Sequence, residues 1–292
     1  MRQSLAERSF NGFIYLFLIL LCVVTVYPFL YVLLYSFSDA TAASATQITL
    51  YPVKATLENY TAVFANKNIF HSFFVSASRT VIGAISHVLV TSLAAYSLSK
   101  AHLIARKKLL VYFLIPMYFS GGLLPFYVLI INLHLNNNFL VYILPALFGT
   151  YNMLLFKTYF EHLPQTIEEA AKIDGAGDFT IFTRIVIPSS MPIIATVLLF
   201  SGVGQWNAYF DAILFVTKEN LMPLQTLLYR IVVEQQADTM EKIMKLANKK
   251  SNVTPESIKM ATIVVSIVPI LIVYPFLQRF YIKGAMLGAV KS

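Results

Sequence analysis

Long apolar runs separated by short polar islands set the pattern of this chain. The runs cover residues 13–37, 70–98, 109–131, 139–156, 191–215 and 258–280. About 20 mostly apolar residues are enough for a helix to cross the hydrocarbon core of a bilayer. The runs are continuous rather than alternating, which favours helices over the strands of a membrane barrel. The pattern therefore predicts an all-α polytopic membrane protein with six transmembrane helices. The second run is longer than the core requires, so its helix tilts or projects. Pro28, Pro116, Pro125, Pro145, Pro269 and Pro275 fall inside runs and predict kinks. Membrane helices tolerate such prolines where neighbours re-satisfy the freed carbonyls.

Composition agrees with a membrane setting: 58% of the chain is hydrophobic and 12% charged, against about 25% charged in soluble domains. The net charge of +8 would suggest nucleic acid in a soluble protein. In a membrane protein it reads as loops that keep Lys and Arg on the inner side, and no nucleic-acid partner is expected. Lys100, Arg106, Lys107 and Lys108 follow the second run, whereas residues 132–138 carry no Lys or Arg. That places the first connection inside, the second outside, and both termini in the cytoplasm. Arg2, Arg8, Lys283 and Lys291 agree with this orientation. Lys242, Lys245, Lys249 and Lys250 run against it, in a long segment of the kind that translocates largely regardless of charge. The first run has no convincing cleavage site after it and reads as a retained helix. Cys22 is the sole cysteine, so no intrachain disulfide can form.

Two outer segments are long enough to fold, 39–69 and 216–257. In the second, Leu224, Leu227, Leu228, Ile231 and Val232 share one helical face, with a charged stretch at 240–250 beyond it. A helix on the membrane surface and a landing surface for an extracytoplasmic partner both fit.

The inner connection at 162–188 is a polar, helix-forming island. Residues 166–169, Thr-Ile-Glu-Glu, fit a capping box in which Thr166 and Glu169 satisfy each other's amides. Glu168 and Glu169 fall in the first turn, which the helix dipole favours for acids. Ala170 and Ala171 present a low-profile surface, and Gly175 is placed to end the helix in a left-handed conformation. Asp178 can cap a second short helix running through Arg184, which Pro188 stops.

Polar groups inside spans are functional suspects. Gly202 and Gly204 lie near mid-depth of the fifth run, followed by Trp206, Asn207, Tyr209 and Asp211. An aromatic platform beside amide and carboxylate groups suits sugars. Interfacial anchoring by Trp and Tyr, with Asn bridging helices, explains the same residues. Arg79 is expected to snorkel to the outer interface ahead of pairing with a carboxylate such as Asp211. His87 is expected to bridge helices.

Catalytic signatures are missing. The chain has no HExxH or Gly-x-Ser-x-Gly pattern, and His71, His87, His102, His134 and His162 lack metal-ligand spacing. No metal or cofactor is expected on this chain, and without a GxxxxGK[ST] loop it supplies no ATPase of its own. A secondary transporter remains an alternative, poorly matched by six spans with no evident inverted repeat.

One stretch has a specific spacing: Glu169-Ala170-Ala171, three residues, Gly175, nine residues, then Ile185-Val186-Ile187-Pro188. It resembles the EAA loop of ABC-importer permeases, with Ile187 in place of the usual Leu. Residues 95–99 (Ala-Tyr-Ser-Leu-Ser), 120–125 (Ser-Gly-Gly-Leu-Leu-Pro), 204–211 and the tail 283–291 extend the likeness over nearly the whole chain. The chain thus resembles carbohydrate ABC-importer permeases of the MalG type, most closely their LplC/YtcP-like branch. The resemblance implies one half of a type I importer, with a transmembrane domain over 70–282 after an N-terminal segment 1–69, and a cytoplasmic tail at 283–292. Implied partners are a second homologous permease, two ATPase subunits that bind ATP and Mg, an extracytoplasmic solute-binding protein and a carbohydrate, an oligosaccharide above all. Glu168, Glu169, Ala170, Ala171, Asp174, Gly175, Ile185 and Pro188 would couple to the ATPase. Gly204, Trp206, Asn207, Tyr209 and Asp211 are the substrate-pathway candidates. A non-sugar solute is the alternative within the same superfamily.

Overall fold

A computed structural model describes residues 5–45, 50–234 and 253–289. Among them the chain is helical, with one isolated bridge between Ser38 and Ala55. In order the helices are α1 (Leu5–Ser36), α2 (Ala40–Ala45), α3 (Glu58–Ala65) and α4 (Lys67–Ser99). Then come α5 (Arg106–Tyr118), α6 (Leu123–Asn132), tight turns at Phe139–Tyr142 and Leu144–Ala146, and α7 (Thr150–Glu161). They are followed by α8 (Gln165–Ile173), α9 (Asp178–Ser189), α10 (Met191–Asn207), α11 (Phe210–Phe215), α12 (Leu224–Tyr229) and α13 (Pro255–Ala289).

Three described helices are long and apolar enough to cross a membrane unbroken: Phe10–Ser36, Asn68–Ser99 and Pro255–Pro275. They match the first, second and sixth expected spans. The other three are broken. The third bends by 110° between α5 and α6, so the single helix expected over 109–131 does not form. Ser120, Gly121 and Gly122 occupy the break, and Gly122 at φ +86° holds the left-handed turn. Pro125 then sits in the first turn of α6, where its missing N–H removes no helix bond. The fourth span begins as two tight turns and bends 48° into α7. The fifth is not continuous to 215: α10 ends at Asn207 and Ala208 is extended, at φ −70° and ψ 129°.

Two compact units emerge from the packing, residues 1–69 with 228–268, and residues 70–227 with 269–292. In the first unit Asn59 donates from Nδ2 to the carbonyls of Ser36 and Ser38, both at 2.9 Å. This satisfies acceptors left open at the end of α1. Asp39 accepts from the Ala42 amide at 2.9 Å and so caps α2. Tyr60 meets Ser36 at 2.6 Å; burial pushes the pKa of its hydroxyl up and the Ser36 contact opposes that shift.

Among the described residues of the second unit, two apolar cores stand out. One joins Tyr96 and Leu98 of α4, Met153, Phe156 and Phe160 of α7, and Ile181, Phe182 and Val186 of α9. The other gathers Val75, Ile130, Val141, Tyr142, Ala212 and Phe215. Helical periodicity at 224–232 is real: Leu224, Leu227 and Ile231 are buried, so this face packs inward. The charged stretch at 240–250, with Lys242, Lys245, Lys249 and Lys250, lies outside the described residues, as do Arg2 and Lys291.

Candidate functional site

Two places concentrate polar chemistry, the α8–α9 loop and the break between α10 and α11. α8 begins directly after Pro164, whose φ of −60° and ψ of 116° make it the last non-helical residue. Thr166 is therefore already inside the helix and the expected capping box does not form. A capping Thr must have an extended backbone, but the proline, with φ preset for helix entry, hands the chain over two residues earlier. Glu168 instead pairs with Lys100, whose ammonium also lies 4.2 Å above the ring of Tyr96. Arg106 and Lys157 converge on Glu161 beside it.

The far end of α8 follows the sequence expectation. Gly175 has φ +82°; its amide donates to the Lys172 carbonyl at 3.0 Å, and the Ala176 amide donates to Ala171 at 2.9 Å. These two bonds define a Schellman closure, which satisfies the last carbonyls of the helix. Asp178 is the first helical residue of α9 rather than its cap, and pairs with Lys172 at 3.2 Å. α9 widens into a π turn over Phe182–Val186 just ahead of Pro188. The proline offers no amide and its ring crowds the preceding turn, and the wider turn absorbs that. α9 continues to Ser189 and meets α10 at 83°.

These elements sort the loop residues by face. Glu168, Ala171 and Ile185 turn inward, with Ala171 and Ile185 packed against the α4–α7–α9 core. Glu169, Ala170, Asp174, Gly175 and Pro188 are exposed. Ile173, three residues after Ala170 on α8, is 87% exposed, and Phe179 on α9 is 71% exposed.

At the second place the structure reverses the snorkelling expected of Arg79. Arg79 is 1% exposed, and its guanidinium is bound within the second unit. Nη2 donates to Asp211 Oδ2 at 2.6 Å, Nη1 to Oδ1 at 3.3 Å, and Nε and Nη2 to Gln205 Oε1 at 3.2 and 3.0 Å. Nη1 also donates to the Ala208 carbonyl at 3.2 Å, and the guanidinium lies 4.2 Å from the Tyr142 ring centroid. The cause is the helix break. An interrupted span frees backbone carbonyls that must be satisfied inside the membrane, and Arg79 supplies the donors. Gln205 extends the network through Nε2 to the Tyr142 carbonyl at 3.0 Å. Gly83 allows this approach, because a Cβ there would stand 2.8 Å from Gln205 Nε2.

His87 bridges as expected, with Nδ1 2.7 Å from the Ala146 carbonyl and Nε2 2.8 Å from Asn152 Nδ2. A carbonyl only accepts, so Nδ1 carries a proton and donates to Ala146.

A cavity of 420 Å³ opens beside this network, lined by Arg79, His87, Tyr142, Asn152, Ser201, Gly204, Gln205 and Asp211, with Phe126, Phe148, Phe200 and Phe215 among the apolar walls. Small-molecule sites span about 300–1,000 Å³. The structure divides the pathway candidates. Gly204 and Asp211 face this cavity. Trp206 is buried, edge-on to Phe73 with centroids 5.8 Å apart, and lines a separate apolar pocket of 260 Å³. Asn207 is exposed, 3.5 Å from Gln225, and the Tyr209 carbonyl accepts from Thr226 at 3.2 Å. Sequence reasoning did not single out Gln205, Tyr142, Asn152 or Phe126. An amide amid the apolar fifth run was the available signal for Gln205; the others come together only through the fold.

The family described as "Binding-protein-dependent transport system inner membrane component" matches residues 4–285. The polygalacturonan/rhamnogalacturonan transport system permease protein YtcP of Bacillus subtilis (strain 168) is 37% identical, over 98% of this chain and 99% of its own length. Protein LplC of the same organism is 36% identical over 100% and 98%. A chain of a bacterial ABC transporter involved in the import of the acidic polysaccharide alginate is 28% identical, with a TM-score of 0.89, covering 96% of this chain and 99% of that one.

Proposed function

Because the chain belongs to the binding-protein-dependent transport system inner membrane component family, we propose that it couples ATP hydrolysis on a partner to carbohydrate translocation through its α8–α9 loop. It is a multi-pass membrane permease subunit of a carbohydrate ABC transporter. The transmembrane domain spans 70–282, and both termini face the cytoplasm, as the Lys and Arg of 100–108 support. A second homologous permease completes the pathway, two ATPase subunits bind ATP and Mg, and an extracytoplasmic solute-binding protein delivers an oligosaccharide. This chain holds no cofactor and performs no chemistry of its own.

The observation that carries the coupling role is the short, firmly closed α8 with one face left uncovered. Its Schellman closure at Gly175 makes it a compact rigid element. Glu169, Ala170 and Ile173 face away from the core, while Ala171 and Ile185 anchor the loop to it. A small-residue surface flanked by exposed apolar side chains suits insertion into a cleft on another protein. Glu168, Ala171 and Ile185 then act from behind as anchors, and Asp174, Gly175 and Pro188 fix the turns. A motion imposed on α8 passes to α4 through the Lys100–Glu168 pair and to α10 through α9.

The test is purification from native membranes in mild detergent, with mass spectrometry of what comes along. A second six-span permease and an ATPase should be recovered. A chain that purifies alone, with uptake that follows a proton or sodium gradient and ignores ATP, would sink the reading.

A further inference from the structure

The cavity beside the α10–α11 break has a charge balance that limits what can enter it. Its described lining holds one cationic and one anionic side chain, Arg79 and Asp211, and the two are paired at 2.6 Å. Arg79 spends its donors on Asp211, Gln205 and the Ala208 carbonyl. Only 2% of its side chain is exposed, against 28% for Asp211. The face offered to a ligand is therefore the acceptor side of the pair. His87 is engaged on both ring nitrogens, by the Ala146 carbonyl and by Asn152. Ser201 and Asn152 supply hydroxyl and amide groups, and the phenylalanine walls supply apolar faces.

Such a lining matches the hydroxyl edges and C–H faces of an uncharged sugar ring. A carboxylate entering it would meet no unspent cation and would stand next to Asp211. We propose that this cavity receives a neutral sugar unit, and that Asp211, with its charge balanced by Arg79, selects against acidic units at this position. Arg79 is the positioning residue and Asp211 the discriminating one. The proposal rests on the carbohydrate-importer reading and concerns one position on the pathway. An acidic polymer would have to present an uncharged unit here.

The size of the discrimination follows from the geometry. Two like charges about 5 Å apart in a partly wet protein site repel enough for roughly 10- to 100-fold in affinity, and the paired Arg79 cation offsets part of that, which leaves about tenfold. The experiment compares neutral galactose trimers with galacturonate trimers on the purified transporter complex, without binding protein, by saturation-transfer NMR titration. The wild type should favour the neutral trimer by that factor. Asp211→Asn keeps an acceptor for Arg79 but leaves the guanidinium charge unbalanced, and should invert or abolish the preference. The double variant Arg79→Gln/Asp211→Asn removes both charges and should bind the two trimers within a few-fold of each other. Equal or tighter binding of galacturonate by the wild type, or an unchanged ratio in Asp211→Asn, overturns the proposal. So does a complex that binds neither trimer yet still carries out ATP-driven oligosaccharide uptake. Absence of any ATP-driven oligosaccharide uptake would instead overturn the importer reading itself.

Discussion

Gly175 offers a graded test of the coupling loop, because its environment separates backbone strain from crowding. At φ +82° it occupies the left-handed region, and a Cβ added there would meet nothing within 4 Å. Any cost of substitution is thus conformational. A residue with a Cβ pays about 1–2 kcal/mol in that region, a β-branched one stands at the upper end or beyond, and asparagine is the best tolerated. A factor of ten corresponds to about 1.4 kcal/mol. Gly175→Asn should therefore stay close to wild type. Gly175→Ala should populate the closed turn roughly tenfold less well, and Gly175→Val less again. What is lost is the pair of bonds from Gly175 to Lys172 and from Ala176 to Ala171, so α8 frays at the end that carries Ile173. The assay is uptake per ATP hydrolysed by the complete importer in proteoliposomes, with membrane yield as the check on insertion. The order Asn, Ala, Val should run from coupled to uncoupled at similar yield. Equal coupling in all three, or Asn as damaging as Val, would refute the link between this turn and transport.

The two loop alanines should part company. Ala170→Arg, on the uncovered face, should weaken recovery of the ATPase without lowering the unfolding temperature. Ala171→Arg, on the packed face, should lower that temperature first, and identical behaviour would contradict the face assignment. Gly83→Ala should push Gln205 off its partners, since the new Cβ would lie 2.8 Å from Nε2 and 2.9 Å from Cδ. Loss of a buried amide's bonds costs about 1–3 kcal/mol, read as a drop in thermal stability that a second substitution, Gln205→Ser, should partly relieve. No drop in the single variant would mean the approach of α4 to α10 is looser than it looks.

The parts of the fold legible in the sequence were those set by local pattern. Continuous apolar runs gave the membrane-crossing parts of α1, α4 and α13, Phe10–Ser36, Asn68–Ser99 and Pro255–Pro275, and a glycine separated by three residues from an alanine pair marked where α8 closes. The breaks were harder. Ser120, Gly121 and Gly122 are poor helix formers and did signal a break, but apolar residues on both sides kept the run long enough to pass as one span. At Ala208 and Tyr209 there was no glycine or proline to read. The capping box failed for a related reason: Thr166 and Glu169 had the right spacing, and only the backbone at Pro164 decided otherwise.

Arg79 shows why the second site was only half legible, its pairing with Asp211 ranking behind snorkelling. Snorkelling is the cheap solution for a charge near a membrane interface when the surrounding helices are unbroken. It loses when a neighbouring helix stops inside the span. The C-terminal end of α10 carries partial negative charge and open carbonyls, and the first turn of α11 favours an acid. A guanidinium placed there meets an Ala208 carbonyl and an Asp211 carboxylate at once. Removing one member of such a buried pair leaves the other uncompensated, at a cost of about 3–5 kcal/mol. The break and the charge pair therefore require each other. An arginine in α4 explains why the fifth span can stop without glycine or proline, and the stop explains why the arginine is buried. Sequence separation of 126 to 132 residues between these partners put that mutual dependence beyond any local reading.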